Sequence, residues 1–206
     1  MAQTPGRPHR PSLYSDLTAL IDAAGGTDPG SRAELAAATA AVVVRAGRTD
    51  VDDDDERFVA LADRIGIDTL AALWRDADPV SLPGALWALY LLRQWCQSNG
   101  EDVARMWRAG EALASADAVV AGLPDYADVD AVRQVADTVL SGAYRGDFGV
   151  ALERAAALFR VLATGRRELA APGADGEAEI ERAARNERVA ADLTAAAARW
   201  RAGSLH

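Results

Sequence analysis

The chain has 206 residues, half of them apolar and about a quarter charged, which is the balance of one ordinary globular domain. Its net charge is −9, and all 22 basic residues are arginine. The lack of lysine excludes Schiff-base catalysis and the lysine-dependent phosphate-binding loop, and the acidity argues against a nucleic-acid partner.

In chain order, residues 1–11, "MAQTPGRPHRP", read as a polar, Pro-rich disordered arm. A first helix is expected over 13–24, ending at Gly25-Gly26. The box "SRAE" at 31–34 is expected to open a second helix that runs to Ala46. "DVDDDDERFVALADRIG" starts a third. Its acids at 52–56 complement a helix N-terminus better than they make a cation site, because no EF-hand spacing is present. Asp68 caps a short helix over 69–76.

Ser81 and Pro83 fit the cap and first turn of a helix over 82–97, "ALWALYLLRQWCQ" in its densest part. The uncharged run around it, Pro79 to Leu92, is shorter than the roughly 20 residues that a membrane span needs. Its first half is apolar on every side and is expected to be the buried centre of the domain. Helices follow over 101–121, with Val103, Met106, Trp107, Gly110, Leu113 and Ala114 on one stripe, then over 129–144 and 148–164. Residues 166–176 read as a linker and 177–201 as a C-terminal amphipathic helix, with Glu181 and Arg185 at supporting spacing and a tail over 202–206. No strand pattern intervenes. The fold class expected is all-α: a single multihelical domain of 8–9 helices, its core at 12–165, around the helix at 82–97.

Three features bear on function. The histidines, His9 and His206, stand in the two tails, so the folded part is expected to lack an imidazole for acid–base work or metal ligation. Cys96 has no partner for a disulfide and no histidine to activate it, which fits an inert thiol in a reducing compartment. No signal-peptide pattern opens the chain, so a cytoplasmic protein without a membrane partner is expected. Asp125, Asp128 and Asp130 lead into a helix and need no cation. Arg105 and Arg108 lie opposite an apolar stripe and read as a solvated face.

Two surfaces stand out as candidates. Tyr90, Arg93, Gln94 and Gln97 recur at i, i+3, i+4 and i+7, a polar stripe that is either a groove wall for a carboxylate, phosphate or backbone, or the end of a helix emerging into solvent. The C-terminal helix carries a narrow seam of Ile180, Ala184, Leu193, Ala197 and Trp200, which either docks on its own domain or meets a partner, a second copy included. No catalytic residue, metal ligand or cofactor is assigned.

Residues 74–110, "WRDADPVSLPGALWALYLLRQWCQSNGEDVARMWRAG", together with "AAGGTDPGSRAELAAATA", resemble a family of helical signature proteins restricted to actinobacteria. The resemblance is of overall look and transfers no site residue. One such signature protein, ParJ, is linked to the chromosome-partition ATPase ParA, so the resemblance implies a regulatory role beside a ParA-like ATPase in segregation or cell division. The function expected is that of a non-catalytic protein-binding module. The alternative is a binder of a small anionic ligand through Arg93, or a carboxylate-based hydrolase.

Overall fold

A computed structural model describes residues 29–49, 73–125 and 127–206. The expected arm, first helix and acidic run at 52–56 lie outside these residues, as do residues 69–72 of the short fourth helix. The described part is all-helical, with seven helices rather than the 8–9 expected of the whole chain: α1 (Pro29–Thr49), α2 (Leu82–Ser98), α3 (Gly100–Gly110), α4 (Ser115–Ala121), α5 (Val129–Arg145), α6 (Phe148–Leu169) and α7 (Ala174–Arg201). None of them is long and apolar enough to cross a membrane.

Local chemistry explains most boundaries. Ser81 caps α2, its Oγ accepting from the Gly84 N–H at 3.3 Å, and Pro83 sits in the first turn, where it has no hydrogen bond to lose. Asp128 and Asp147 cap α5 and α6 by the same device. Other boundaries correct the sequence reading. α1 begins at Pro29, so Ser31 and Glu34 lie inside the helix and do not form its cap. The helix expected over 101–121 is two: α3 ends at Gly110, a turn follows, and Leu113 stands 62% exposed. The linker expected at 166–176 shrinks to residues 170–173, because α6 runs on to Leu169 and α7 starts at Ala174. The expected tail at 202–206 is docked: Leu205 is buried and the Leu82 N–H donates to the His206 carbonyl at 2.9 Å.

The centre of the molecule is α6, not α2. α6 packs most extensively, against α7, α3, α4 and α5 in turn and also α2, while α2 makes smaller contacts with α1, α3, α5, α6 and α7. Small residues explain why. Ala155, Ala156, Ala157 and Ala163 are fully buried, and they let neighbouring helices approach closely. At Gly110 and Gly165, α3 and α6 meet backbone to backbone: a Cβ on Gly165 would stand 1.8 Å from the Met106 carbonyl oxygen, and one on Gly110 2.2 Å from that of Val161. The larger core residues fill the gaps between helices. Leu152, Leu158 and Leu162 of α6 and Leu140 of α5 have no exposed surface, and each is worth about 1.5–3 kcal/mol of burial.

Polar links fix the periphery. Trp74 Nε1 donates to Thr39 Oγ1 at 3.1 Å, and Thr39 itself donates to carbonyls of its own helix, so this buried hydroxyl is satisfied. α7 is held to α6 by apolar contact along its inner face and by ion pairs at the rim: Arg166–Glu179 at 2.5 Å, Arg167–Glu187 at 2.6 Å, and Arg201 forked on Glu153.

Candidate functional site

The polar stripe on α2 is not an open wall. Tyr90 is 1% exposed, with its ring 5.8 Å from that of Trp74. Arg93 is buried and its Nε donates to Asp137 Oδ1 on α5 at 2.6 Å. Gln97 Nε2 reaches both oxygens of the same carboxylate at 3.3 Å. Gln94 alone faces outward, donating to Ser98 Oγ at 3.0 Å. Arg93 and Gln97 therefore join α2 to α5, with their hydrogen bonds spent inside the protein. Cys96 lies on the same inner side, and burial, with the Asp137 carboxylate adding to it, pushes its thiol up to about 12. It is not a thiolate at neutral pH, and its nucleophilicity is correspondingly suppressed.

The opposite side of α2 carries what the sequence reading missed. Trp87, Ala88, Leu91 and Trp95 line a groove of about 400 Å³, closed on its other side by Val189 and Leu193 of α7 and at one end by Ala77 and Pro79. The first half of the helix, 82–90, is buried or half-buried throughout, as expected of it, and the apolar side chain that opens to solvent is Leu91 in the second half. Leu91 is 43% exposed, and Trp87 and Trp95 are half-buried. At the far end Trp95 stacks on Phe159 of α6, with ring centroids 6.3 Å apart, and the Arg166 guanidinium lies 5.2 Å over the indole. The end nearer residues 77–79 is tight: a Cβ on Gly84 would stand 2.1 Å from the Asp78 carbonyl oxygen, so glycine lets that loop close against the helix. The signal for this surface is present in the sequence, since Trp87, Leu91 and Trp95 recur at i, i+4 and i+8. It was absorbed into the general apolarity of the stretch.

Arg75 and Asp192 line the groove, and Arg166, paired with Glu179, lies over Trp95 at its far end. Arg75 faces its neighbour Asp76 at 3.6 Å. Asp192 makes no ion pair with any described residue.

The seam on α7 divides. Leu193 and Ala197 are buried, and Trp200 meets Phe148 edge-on with centroids 4.9 Å apart, so this half docks on its own domain. Ala184 is half-buried and Ile180 is 46% exposed.

A second cleft, about 490 Å³, collects Arg32, Glu34, Asp76, Asp78, Ser81 and His206. His206 thus belongs to the folded part, which corrects the expectation that both histidines stand in tails. Ser81 Oγ donates to the Asp78 carbonyl and Asp78 Oδ1 accepts the Val80 N–H at 2.8 Å, so these groups fasten the 78–81 turn. Among the described residues no three His, Cys, Asp or Glu side chains are grouped to hold a metal ion. Asp128 is occupied as the α5 cap, Arg105 pairs with Asp102, and Arg108 donates to the Ala127 carbonyl. No protein-family model matches the chain, and neither a curated protein nor a solved structure matches it.

Proposed function

We propose that this chain is a non-catalytic helical module that works in the cytoplasm by binding a protein partner. The groove of Trp87, Leu91 and Trp95 is its recognition surface. The observation that supports this reading is the exposure of large apolar and aromatic side chains in one concave strip, while Arg93 and Gln97 of the candidate stripe are spent on the Asp137 carboxylate that ties α2 to α5. A concave apolar strip with aromatic anchors is the kind of surface on which a few residues carry most of an interface's energy. The resemblance of residues 74–110 makes a ParA-like partition ATPase the first partner to test, with a role in segregation or cell division.

Purified protein is expected to alter the nucleotide-dependent assembly of such an ATPase, followed by light scattering, and Leu91→Arg is expected to remove the effect. An ATPase indifferent to the wild-type chain would end the partition role. A metabolite that copurifies and is consumed on incubation would overturn the non-catalytic reading.

A second reading has its own support. The groove volume of about 400 Å³ falls within the roughly 300–1,000 Å³ of small-molecule sites. The ligand would be mainly apolar, because Arg93, the residue expected to bind an anion, points into the α2–α5 contact.

A further inference from the structure

We infer that the partner segment seated in this groove is a basic amphipathic helix, an inference that rests on the binding-module reading above. Shape supplies the first argument. The groove follows α2 from Gly84 through Trp87 and Leu91 to Trp95, a run of about 16 Å at ~1.5 Å per residue. That is three helical turns of wall, longer than one compact small molecule spans. The lining residues repeat every three or four positions, as anchors must if they are to meet side chains on one stripe of a docked helix. Val189 and Leu193 repeat the same spacing on the opposite wall.

Charge supplies the second. Asp192 sits between Val189 and Leu193 in the α7 wall and makes no ion pair with any described residue, whereas Arg75 at the border already faces Asp76. The described residues carry 18 arginines against 20 acids, close to balance, so the charge argument rests on Asp192 itself. The occupant that fits both arguments presents large apolar side chains on one stripe and an arginine or lysine beside them for Asp192.

The test uses the full chain and three labelled helical peptides of equal length, read by fluorescence anisotropy. One carries leucines at i, i+4 and i+7 flanked by arginines, one the same stripe flanked by glutamates, and one the arginines with the leucines scattered off the stripe. The striped arginine peptide is expected to bind, the glutamate peptide to bind about tenfold more weakly at low salt, and the scattered peptide not to bind measurably. Leu91→Arg should abolish binding with far-UV circular dichroism and Tm unchanged, since that side chain is already 43% exposed, and Leu91→Ala should weaken it. Asp192→Asn should erase the preference for arginine over glutamate while keeping the dependence on the stripe.

Binding that ignores both Leu91 variants overturns the inference, as does equal affinity for the arginine and glutamate peptides. A dimer dissolved by Leu91→Arg overturns it in favour of a second copy. Uptake of the naphthalene dye anilinonaphthalene sulfonate, dependent on Leu91 but with no peptide bound, overturns it in favour of a small apolar ligand. If no peptide binds while the chain still engages the ATPase, this inference falls and the proposed function stands.

Discussion

Two helices of this molecule, α2 and α6, reach the same degree of burial, ten of 17 residues and 13 of 22, with very different side chains. α2 holds the richest apolar run in the chain, with two tryptophans and five leucines across 82–98, yet it leaves Leu91 and parts of Trp87 and Trp95 to solvent. α6 has alanine as its commonest residue and one aromatic beyond its first residue; five helices pack on it, and it too leaves apolar side chains, Val150 and Leu169, to solvent. A central helix has to admit neighbours on every side, and short side chains let the axes come close. Large side chains hold neighbours off, and when they exceed what the neighbours can cover they are left as a surface. The comparison separates residues that build the fold from residues available for recognition.

The largest expected effects fall on α6 and on the buried side of α2. Leu158→Ala should cost about 2–5 kcal/mol, because the site is enclosed and cannot collapse, and Leu92→Ala should fall in the same range. The adjacent Leu91→Ala should change stability by less than about 0.5 kcal/mol. Chemical denaturation of the two neighbouring variants is therefore a direct reading of the two sides of one helix. If Leu91→Ala proves as costly as Leu92→Ala, the groove is not open and the comparison fails.

Next comes Gly165→Ala, which adds one methyl where the Met106 carbonyl oxygen stands 1.8 Å away. Helical propensity would favour alanine by roughly 1 kcal/mol. The backbone contact must be pushed apart instead, and overpacking of this kind costs about 1–3 kcal/mol, occasionally more. A lowered Tm is expected. A raised one would show that α3 and α6 are not in backbone contact.

Arg93→Ala ranks third. Its guanidinium side chain is 11% exposed while Asp137 is 37% exposed, so the carboxylate left behind recovers part of its hydration. The expected loss is about 1–3 kcal/mol, below that for breaking a fully buried pair. A double-mutant cycle with Asp137→Ala measures the coupling, and no coupling would mean that the pair adds nothing to the α2–α5 contact.

The same contrast explains what could be read from the sequence. The periodic helices were legible: Val132, Val135, Ala136, Val139 and Ala143 are all buried on α5, as are Leu152, Ala155, Phe159 and Leu162 on α6. Caps with a single geometric solution, Ser81 and Pro83, were legible too. The centre of the fold was not, because a pattern of alanines and glycines does not announce that other helices will lie against it. Nor was the site. Tyr90, Arg93 and Gln97 form a polar stripe in sequence, but whether such a stripe faces water or an opposing carboxylate depends on Asp137, which is 44 residues beyond Arg93 and on another helix. Trp87, Leu91 and Trp95 were hidden for the opposite reason, since apolar residues beside apolar residues read as core.

The smallest effect expected is a dependence on pH at the α6–α7 rim, where Arg166 also lies over Trp95 of α2. Burial pushes the Glu179 carboxyl up, but hydrogen bonds from Arg166 and Arg182 outweigh it and hold the group below the ordinary range. The hydrogen bond from Arg167 does the same for Glu187, and that from Arg201 for Glu153. Carboxyls lowered in the folded state contribute stability that is present above their unfolded value of about 4.3 and is lost as pH falls through the folded value. Solvent reaches both Glu179 and Glu187, with side chains 29% and 46% exposed, which limits each pair to at most about 1 kcal/mol. On acidification below about pH 4.3, α7 should therefore loosen from α6 before the core unfolds. Hydrogen exchange would rise first in α7, Trp200 emission would shift as its contact with Phe148 opens, and Glu179→Gln would flatten the response. If α6 and α7 instead exchange together at every pH, the buried Leu193, Ala196 and Ala197 hold them as one unit and the rim pairs are dispensable.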